Sequence, residues 1–297
     1  MTERMIDLAE QPARLCVRNE CLVIEPEDEE RDKVTVPLAE LAVLVISHPQ
    51  VSITQAALAG LAQAGGIAIV CDERHMPAAM LLPLEAHFVQ GERFERQAQA
   101  PLPTRKRLWQ SLVRAKIRAQ ARLVTGMRGD DGGLAALALR VRSGDPANVE
   151  AEASRRYWPL LFGPGFRRNR DGQDHNRLLN YGYAVLRAIV ARAVCAAGLH
   201  PSLGLHHHNR YDAFRLADDL MEPYRPVVDG AVVRYCHRHG PLAPLDKQAK
   251  AALVGALMGR FTVEDESRTL FDIAARTAAS LTAVYAGRRK TLVLPEL

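Results

Sequence analysis

The sequence is short of the features that would make it a secreted or membrane protein. It has five cysteines, Cys16, Cys21, Cys71, Cys195 and Cys236, an odd number with no Cys-x-x-Cys pair. That argues against a disulfide framework or a four-cysteine zinc site. The five read as small buried hydrophobes. No run of 18 uncharged apolar residues occurs, so no membrane-spanning helix is expected. The first residues, Met1 to Asp7, carry both signs of charge and lack the apolar stretch of a signal peptide. A soluble, cytoplasmic chain is expected, with no membrane partner. Internal repeats and low-complexity tracts are also missing.

The most informative absence is local. From Thr104 to Arg128 there is no Asp or Glu, yet eight basic residues fall there: Arg105, Lys106, Arg107, Arg114, Lys116, Arg118, Arg122 and Arg128. A solvated helix normally mixes signs and gains i,i+4 pairs. A helix of one sign repels itself unless a polyanion neutralises it, and a nucleic-acid backbone is the obvious polyanion. The net charge of +5 is modest, so its distribution says more than its size. A basic face without a partner is the plain alternative.

With 297 residues, 48% of them hydrophobic, the chain can bury a sizeable core in one or two domains. The reading is α+β: a β-rich N-terminal domain over 1–80, a linker over 81–103 and a larger all-α domain over 104–297. Arg14–Val17 and Cys21–Ile24 flank Arg18-Asn19-Glu20 as a hairpin. Further strands are expected at Val34–Val36, Val43–Ile46, Ile67–Cys71 and Met76–Leu82. Thr54 to Ala64 reads as one helix, with Ser52 and Thr54 available as caps and Gly65-Gly66 ending it. Pro77, Pro83, Pro101 and Pro103 punctuate the transition. Helical spacing then predicts Thr104–Thr125, Leu134–Arg142, Ala147–Leu161, Asn176–Ala197, Ala213–Glu222, Val227–His239, Asp246–Met258 and Ser267–Ala286, with a short strand at Thr291–Leu294.

The chemistry concentrates between Gly204 and Pro226. His206, His207 and His208 run into Asp212, Asp218, Asp219 and Glu222. Imidazole with carboxylate suits Mn²⁺, Zn²⁺ or Fe²⁺, and a carboxylate-dominated set suits Mg²⁺. His207 and Glu222 would stand about 22 Å apart on one straight helix, so the chain must turn between them if they share an ion. Asn209 and Asp212 are suitable turn or cap residues. His207 is therefore placed on a loop and Glu222 on the following helix. Asp218, Asp219 and Glu222 crowd the end of that helix, where the dipole disfavours negative charge, and Pro223 discourages its continuation. A bound cation would offset the repulsion, and so would Arg215 and Arg225. Upstream, Asp145 and Pro146 mark a helix start, with Asp145 as cap, followed by Glu150 and Glu152. Arg155-Arg156-Tyr157-Trp158 and the Gly163–Asp171 stretch, with Arg167, Arg168 and Arg170, interleave basic and aromatic residues as a phosphate-binding loop or a solvent loop would.

Three blocks resemble one family. Gly204-Leu205-His206-His207 with Leu216 to Asp229, Asn148 to Trp158 with Leu161-Phe162-Gly163 and Phe166-Arg167-Arg168, and Asn180 to Leu186 are similar, in order, to the CRISPR-associated endonuclease that integrates new spacers, the first-numbered Cas protein. The wording of the motifs is most similar to the version from type II systems. The resemblance implies an N-terminal β-sandwich and a helical C-terminal catalytic domain. It implies a metal site of Glu150, His207 and Glu222, binding Mg²⁺ or Mn²⁺, with Asp219 as neighbour or auxiliary ligand and Arg155, Arg167, Arg168 and Arg225 toward DNA. His207 is selected over its neighbours by its spacing to the Asp219–Glu222 run. Where the family usually has Gly after the first glutamate, Ala151 stands here. The implied partners are double-stranded DNA, as spacer precursor and CRISPR repeat, a second copy in a homodimer, and the second-numbered Cas protein in a heterohexameric integration complex. The implied activity is metal-dependent DNA endonuclease and integrase. Two other readings compete: a non-catalytic DNA-binding scaffold with a structural zinc at His206–His208, to which Cys236, His237 and His239 could contribute, and a hydrolase of small phosphate esters.

Overall fold

The computed structural model describes residues 3–28, 30–73, 77–83, 86–169, 171–263 and 266–296. The chain forms two units, Met1–Phe88 and Val89–Leu297.

The first unit carries β1 (Arg4–Leu8), β2 (Ala13–Arg18), β3 (Cys21–Pro26), β4 (Val34–Pro37), β5 (Leu41–Ile46), β6 (Val51–Ile53), helix α1 (Gln55–Gln63), β7 (Ile67–Cys71) and β8 (Pro77–Leu81). They make two four-stranded sheets, ordered β1-β5-β7-β8 and β4-β3-β2-β6. The β2–β3 hairpin turns through Asn19 and Glu20, both at positive φ, which matches the right-handed twist of the flanking strands. Leu15, Leu22, Ile24 and Val36 of one sheet share a buried core with Leu44 and Ala68 of the other and with Ala57 and Leu61 of α1. Removing that apolar surface from water holds the layers together. Thr54 caps α1 by accepting from Ala57 N at 3.3 Å. The expected strands appear, with Met76 of the last one outside the described residues; β1 and β6 are additional.

The second unit is mostly helical: α2 (Gln90–Ala98), α3 (Leu102–Arg128), α4 (Leu134–Arg140), α5 (Val149–Phe162), α6 (His175–Ala196), α7 (Arg215–Met221), α8 (Arg225–His239), α9 (Lys247–Leu257) and α10 (Leu270–Tyr285). Several expectations need correction. The 81–103 stretch contains α2 and the first turn of α3, because Glu92 and Arg96 pair along α2 while Arg93 and Gln97 anchor it to Ala197 and His200, partners that the prolines do not reveal. The unit is not all helix, since β9 (Arg260–Val263) and β10 (Glu266–Thr269) pair as a hairpin. Ser267 and Arg268 therefore belong to a strand, and α10 begins after its cap Thr269. The tail at Thr291–Leu294 is not a strand; Val293 instead exchanges bonds with the hydroxyls of Thr277 and Ser280.

Helix α6 meets the length and apolarity of a membrane span, and 78% of its apolar window is buried inside the unit. It is the core helix. Gly182 lets it approach α8, since a Cβ there would lie 2.4 Å from Val228 Cγ1. Asp229 of α8 ties the neighbouring helices together: Tyr157 of α5 donates to it at 2.6 Å and Tyr183 of α6 donates to its other oxygen. Burial raises the Asp229 pKa to about 6, against the opposing pull of the two hydroxyls and of Arg225.

Candidate metal centre

The centre is assembled from α3, α5, the loop before α7, and the junction of α7 with α8. The loop holds the histidines. Gln97 of α2 clamps its entry, donating to the carbonyls of His200 and Leu203, both at 2.9 Å, and accepting from His200 N at 2.8 Å. Gly204 follows, packed so closely that a Cβ would sit 2.9 Å from both Arg215 Cβ and Asp219 Oδ2. The exit is built as expected from Asx turns, with Asn209 accepting from Tyr211 N at 3.1 Å and Asp212 from Phe214 N at 2.8 Å. His207 is on a loop and Glu222 lies at the end of the helix that follows.

Pro223 does not end the helical path. Glu222–Tyr224 form one 3-10 turn, and the chain continues directly into α8. Pro223 fits because it occupies the first turn of that new segment, where its missing N–H costs nothing. The crowded acids are explained by separate partners. Asp218 is 6% exposed and receives a two-point bond from Arg187 Nε and Nη2, at 2.6 and 2.7 Å. Burial raises the Asp218 pKa, and Arg187 opposes the rise.

Asp219 is fully buried. Its Oδ2 accepts from the backbone N–H of Leu205 at 2.6 Å and of His206 at 3.0 Å. Its Oδ1 lies 3.3 Å from His207 N and 2.6 Å from His207 Nδ1. The expectation of Asp219 as an auxiliary ligand is corrected here: four donors use its lone pairs, and it positions His207. The hydrogen bond from His207 to Asp219 raises the His207 pKa above its ordinary value, against the opposing effect of burial. A carboxylate can only accept, so the neutral imidazole carries its proton on Nδ1 and keeps a lone pair on Nε2. His206 lies flat on Trp109 of α3, with ring centroids 4.3 Å apart and planes 3° from parallel. Burial lowers its pKa.

Glu150 and Glu222 are brought together by Lys116 of α3. Lys116 Nζ is 2.6 Å from Glu150 Oε1 and 2.6 Å from Glu222 Oε2. Arg225 Nε donates to the other Glu222 oxygen at 2.9 Å. Glu222 Oε2 is buried and meets the Lys116 ammonium, which it shares with Glu150. Burial alone would raise the Glu222 pKa; Arg225, Lys116 and His207 outweigh it and hold the carboxyl well below its usual value. Burial would likewise lower the Lys116 pKa, and Glu222 and Glu150 outweigh it and keep the ammonium charged. Among the described residues, no three His, Cys, Asp or Glu side chains already stand at direct metal-ligand spacing. The ammonium stands between the two carboxylates. Two carboxylates and one imidazole with a fixed lone pair are nevertheless donor types suited to Mg²⁺ or Mn²⁺.

Asp145 caps α5 from farther away than expected, accepting from Val149 N at 3.0 Å and Glu150 N at 2.9 Å. The helix starts at Val149 because Asp145 and Asn148 both adopt positive φ. This cap orients the turn that carries Glu150. Beside Glu150 opens a cavity of about 780 Å³ lined by Ser154, Arg155, Trp158, Phe166, Arg167 and Arg168. Arg155 and Arg167 are exposed there. Arg168 is not available in the same way: it donates to Asn176 and Asn180 at 2.8 and 2.6 Å and lies over the Tyr183 ring. Arg225 is also turned inward, onto Glu222 and Tyr183. Both are held by protein partners, while Arg168 still lines the cavity beside Glu150. Arg170 lies outside the described residues.

The basic run also divides. Lys116 points into the centre, Arg114 donates to Val141 O at 2.7 Å, and Arg128 to Leu160 O at 3.1 Å. Lys106, Arg107, Arg118 and Arg122 are exposed. Lys116, Trp109 and Arg187 are the residues that the sequence reading missed. A signal existed for Lys116, which falls on the apolar stripe of Leu108, Leu112, Val113, Ile117 and Val124 and so had to be buried. The His206 ring is stacked on Trp109 and lies 6.1 and 6.2 Å from the rings of His207 and His208.

A β-rich unit is followed by a helical unit that brings two carboxylates and an imidazole around a buried lysine, with a basic, aromatic-lined cavity beside Glu150. Residues 7–243 match the model of the family described as CRISPR associated protein Cas1, and the chain belongs to that family. It is 36% identical over its full length to the CRISPR-associated endonuclease Cas1 of Neisseria meningitidis serogroup C, covering 97% of that protein. Among solved structures, it is similar to a casposase bound to integration product, with a TM-score of 0.75 at 19% identity, covering 98% of this chain and 92% of that one. It is also similar to a chain of a Cas6-RT-Cas1–Cas2 complex, with a TM-score of 0.77 at 19% identity, covering all of this chain and 36% of that one.

Proposed function

We propose that this protein is a metal-dependent DNA endonuclease and integrase that inserts short DNA fragments as new spacers into a CRISPR array, the adaptation step of antiviral defence. The observation that carries this reading is the convergence of Glu150 and Glu222 on one cation, next to a histidine whose lone pair is fixed by Asp219. The donor set, Glu150, His207 and Glu222, would hold Mg²⁺ or Mn²⁺. Bound there, the ion would polarise the scissile phosphate and lower the pKa of the attacking hydroxyl. The protein's own contribution is positioning and charge, which is most of what phosphoryl transfer requires. Asp219 orients His207, and Arg225 keeps Glu222 ionised. Arg155 and Arg167 offer two guanidinium groups to the backbone, with Trp158 beside them as a surface for an unstacked base.

The names of the relatives support this reading, since one is an endonuclease and another was solved on an integration product. The neighbour solved in a Cas1–Cas2 complex supports the second-numbered Cas protein as partner. A homodimer, a heterohexameric assembly on double-stranded DNA and a cytoplasmic location belong to the same proposal. The test is strand transfer of a short duplex into a plasmid carrying a CRISPR repeat, with Mn²⁺ or Mg²⁺. Glu150→Ala, His207→Ala and Glu222→Ala are each expected to abolish the products while leaving circular dichroism unchanged. Full activity in all three variants would overturn the site assignment.

A further inference from the structure

Lys116 is buried, with 10% of its side chain exposed, and its ammonium touches one carboxylate from α5 and one from the α7–α8 junction. Nothing in the proposed chemistry requires a cation there before the metal arrives. Lys116 and Arg225 already pair with Glu150 and Glu222. A divalent ion added to that arrangement would place two more positive charges beside an ammonium that already uses both carboxylates. Lysine can leave such a position. Its charge sits on a flexible four-carbon stem, whereas the planar Arg225 is locked between Glu222 and the Tyr183 ring.

We propose that Lys116 is the resident counter-cation of the centre, holding Glu150 and Glu222 together in the metal-free protein and competing with the divalent ion for the same two carboxylates. The inference rests on the metal-site reading above. It assigns Lys116 as a positioning residue with two opposed effects. Lys116 stabilises the metal-free fold, because without it two carboxylates face each other across a buried gap. It weakens the metal, because the ion must displace an ammonium to enter.

The test uses the full chain and Mn²⁺ alone, with two neutral replacements, Lys116→Met and Lys116→Gln. Methionine keeps the length and apolar stem, and glutamine keeps a hydrogen-bond donor. Both are expected to melt lower than wild type in EDTA. Both are expected to bind Mn²⁺ at least about tenfold more tightly by calorimetry, as removal of one nearby positive charge requires, and to gain more in melting temperature from Mn²⁺ than wild type does. Lys116→Arg, which keeps the charge on a planar and less mobile head, is expected to bind Mn²⁺ no more tightly than wild type. Neutral variants that bind Mn²⁺ no more tightly than wild type overturn the proposal. If the neutral variants are unfolded in EDTA, recovery of their circular dichroism on adding Mn²⁺ supports it, and failure to recover at any concentration overturns it. Glu222→Ala distinguishes the two readings: if it binds Mn²⁺ as well as wild type, the ion lies elsewhere and the metal-site reading fails first.

Discussion

Asp219→Asn isolates what the carboxylate does for the histidine loop. The substitution keeps the shape and removes one acceptor and the charge. Asp219 now serves two backbone donors through Oδ2, and His207 N and Nδ1 through Oδ1. An amide has one oxygen for both sets. Backbone N–H groups cannot reverse their polarity and imidazole can, so the oxygen should turn to Leu205 and His206 and the NH₂ to His207. His207 N then loses its acceptor, and Nδ1 must accept instead of donate. Three charge-assisted bonds become neutral and one part-buried N–H is orphaned, a loss of about 3 kcal/mol. For a unit of this size, that lowers the melting temperature by roughly 6–12 °C. The metal consequence is sharper. With the proton moved to Nε2, the lone pair that would face a metal is gone, and Mn²⁺ binding should fall more than the lost stability explains. The pH dependence checks the cause. His207 has a folded pKa above its ordinary 6.5, so its pairing with Asp219 contributes fully below 6.5 and is lost as pH rises through the raised folded value. The stability gap between wild type and Asp219→Asn, from urea unfolding in EDTA, should therefore be largest near pH 6 and shrink toward pH 9. A gap below about 1 kcal/mol, or one that does not change with pH, would refute the reasoning.

Two further outcomes follow from packing and pairing in the same unit. Arg187→Met should cost about 3 kcal/mol in urea unfolding at pH 7, because it strips a buried carboxyl of its two-point guanidinium, and adding Asp218→Asn should recover at least half of the loss. Gly182→Ala should destabilise by about 2 kcal/mol, despite the better helix propensity of alanine, because its methyl would meet Val228 Cγ1; Val228→Ala in the same chain should relieve part of it, and a neutral or stabilising Gly182→Ala would show that α6 and α8 can separate freely.

Much of the fold was readable because hydrophobic period and capping residues agree locally. Thr54 and Asp246 each cap the helix that follows them, through bonds to Ala57 and Ala249. The failures share a cause. At β9–β10, Thr291–Leu294 and α2, the local pattern is short, and distant partners decide the outcome. The helix start at Asp145 was misjudged for a related reason. Its carboxylate does cap α5, but over two residues of left-handed backbone, which no propensity describes. At the site, the need for a turn between His207 and Glu222 was legible from helix rise alone. The resemblance supplied Glu150, which spacing could not have chosen. The cation between them was not seen, because Lys116 was counted with its charged neighbours as part of a surface.

The four acids of α7 and α8 show why this position, rather than the others, is the exchangeable one. Each is 6% exposed or less, so each needs compensation, and each finds a different kind. Asp218 has a bidentate guanidinium on its own helix neighbour, and Asp229 has two tyrosine hydroxyls. Asp219 has backbone donors, which cannot move without unfolding the loop. Glu222 alone depends in part on a flexible amine that it shares with a carboxylate from another helix. An incoming ion gains most where it replaces the least rigid partner. That condition is met at Glu222 and Glu150, and the saturated acids around them hold the frame in place while the exchange occurs.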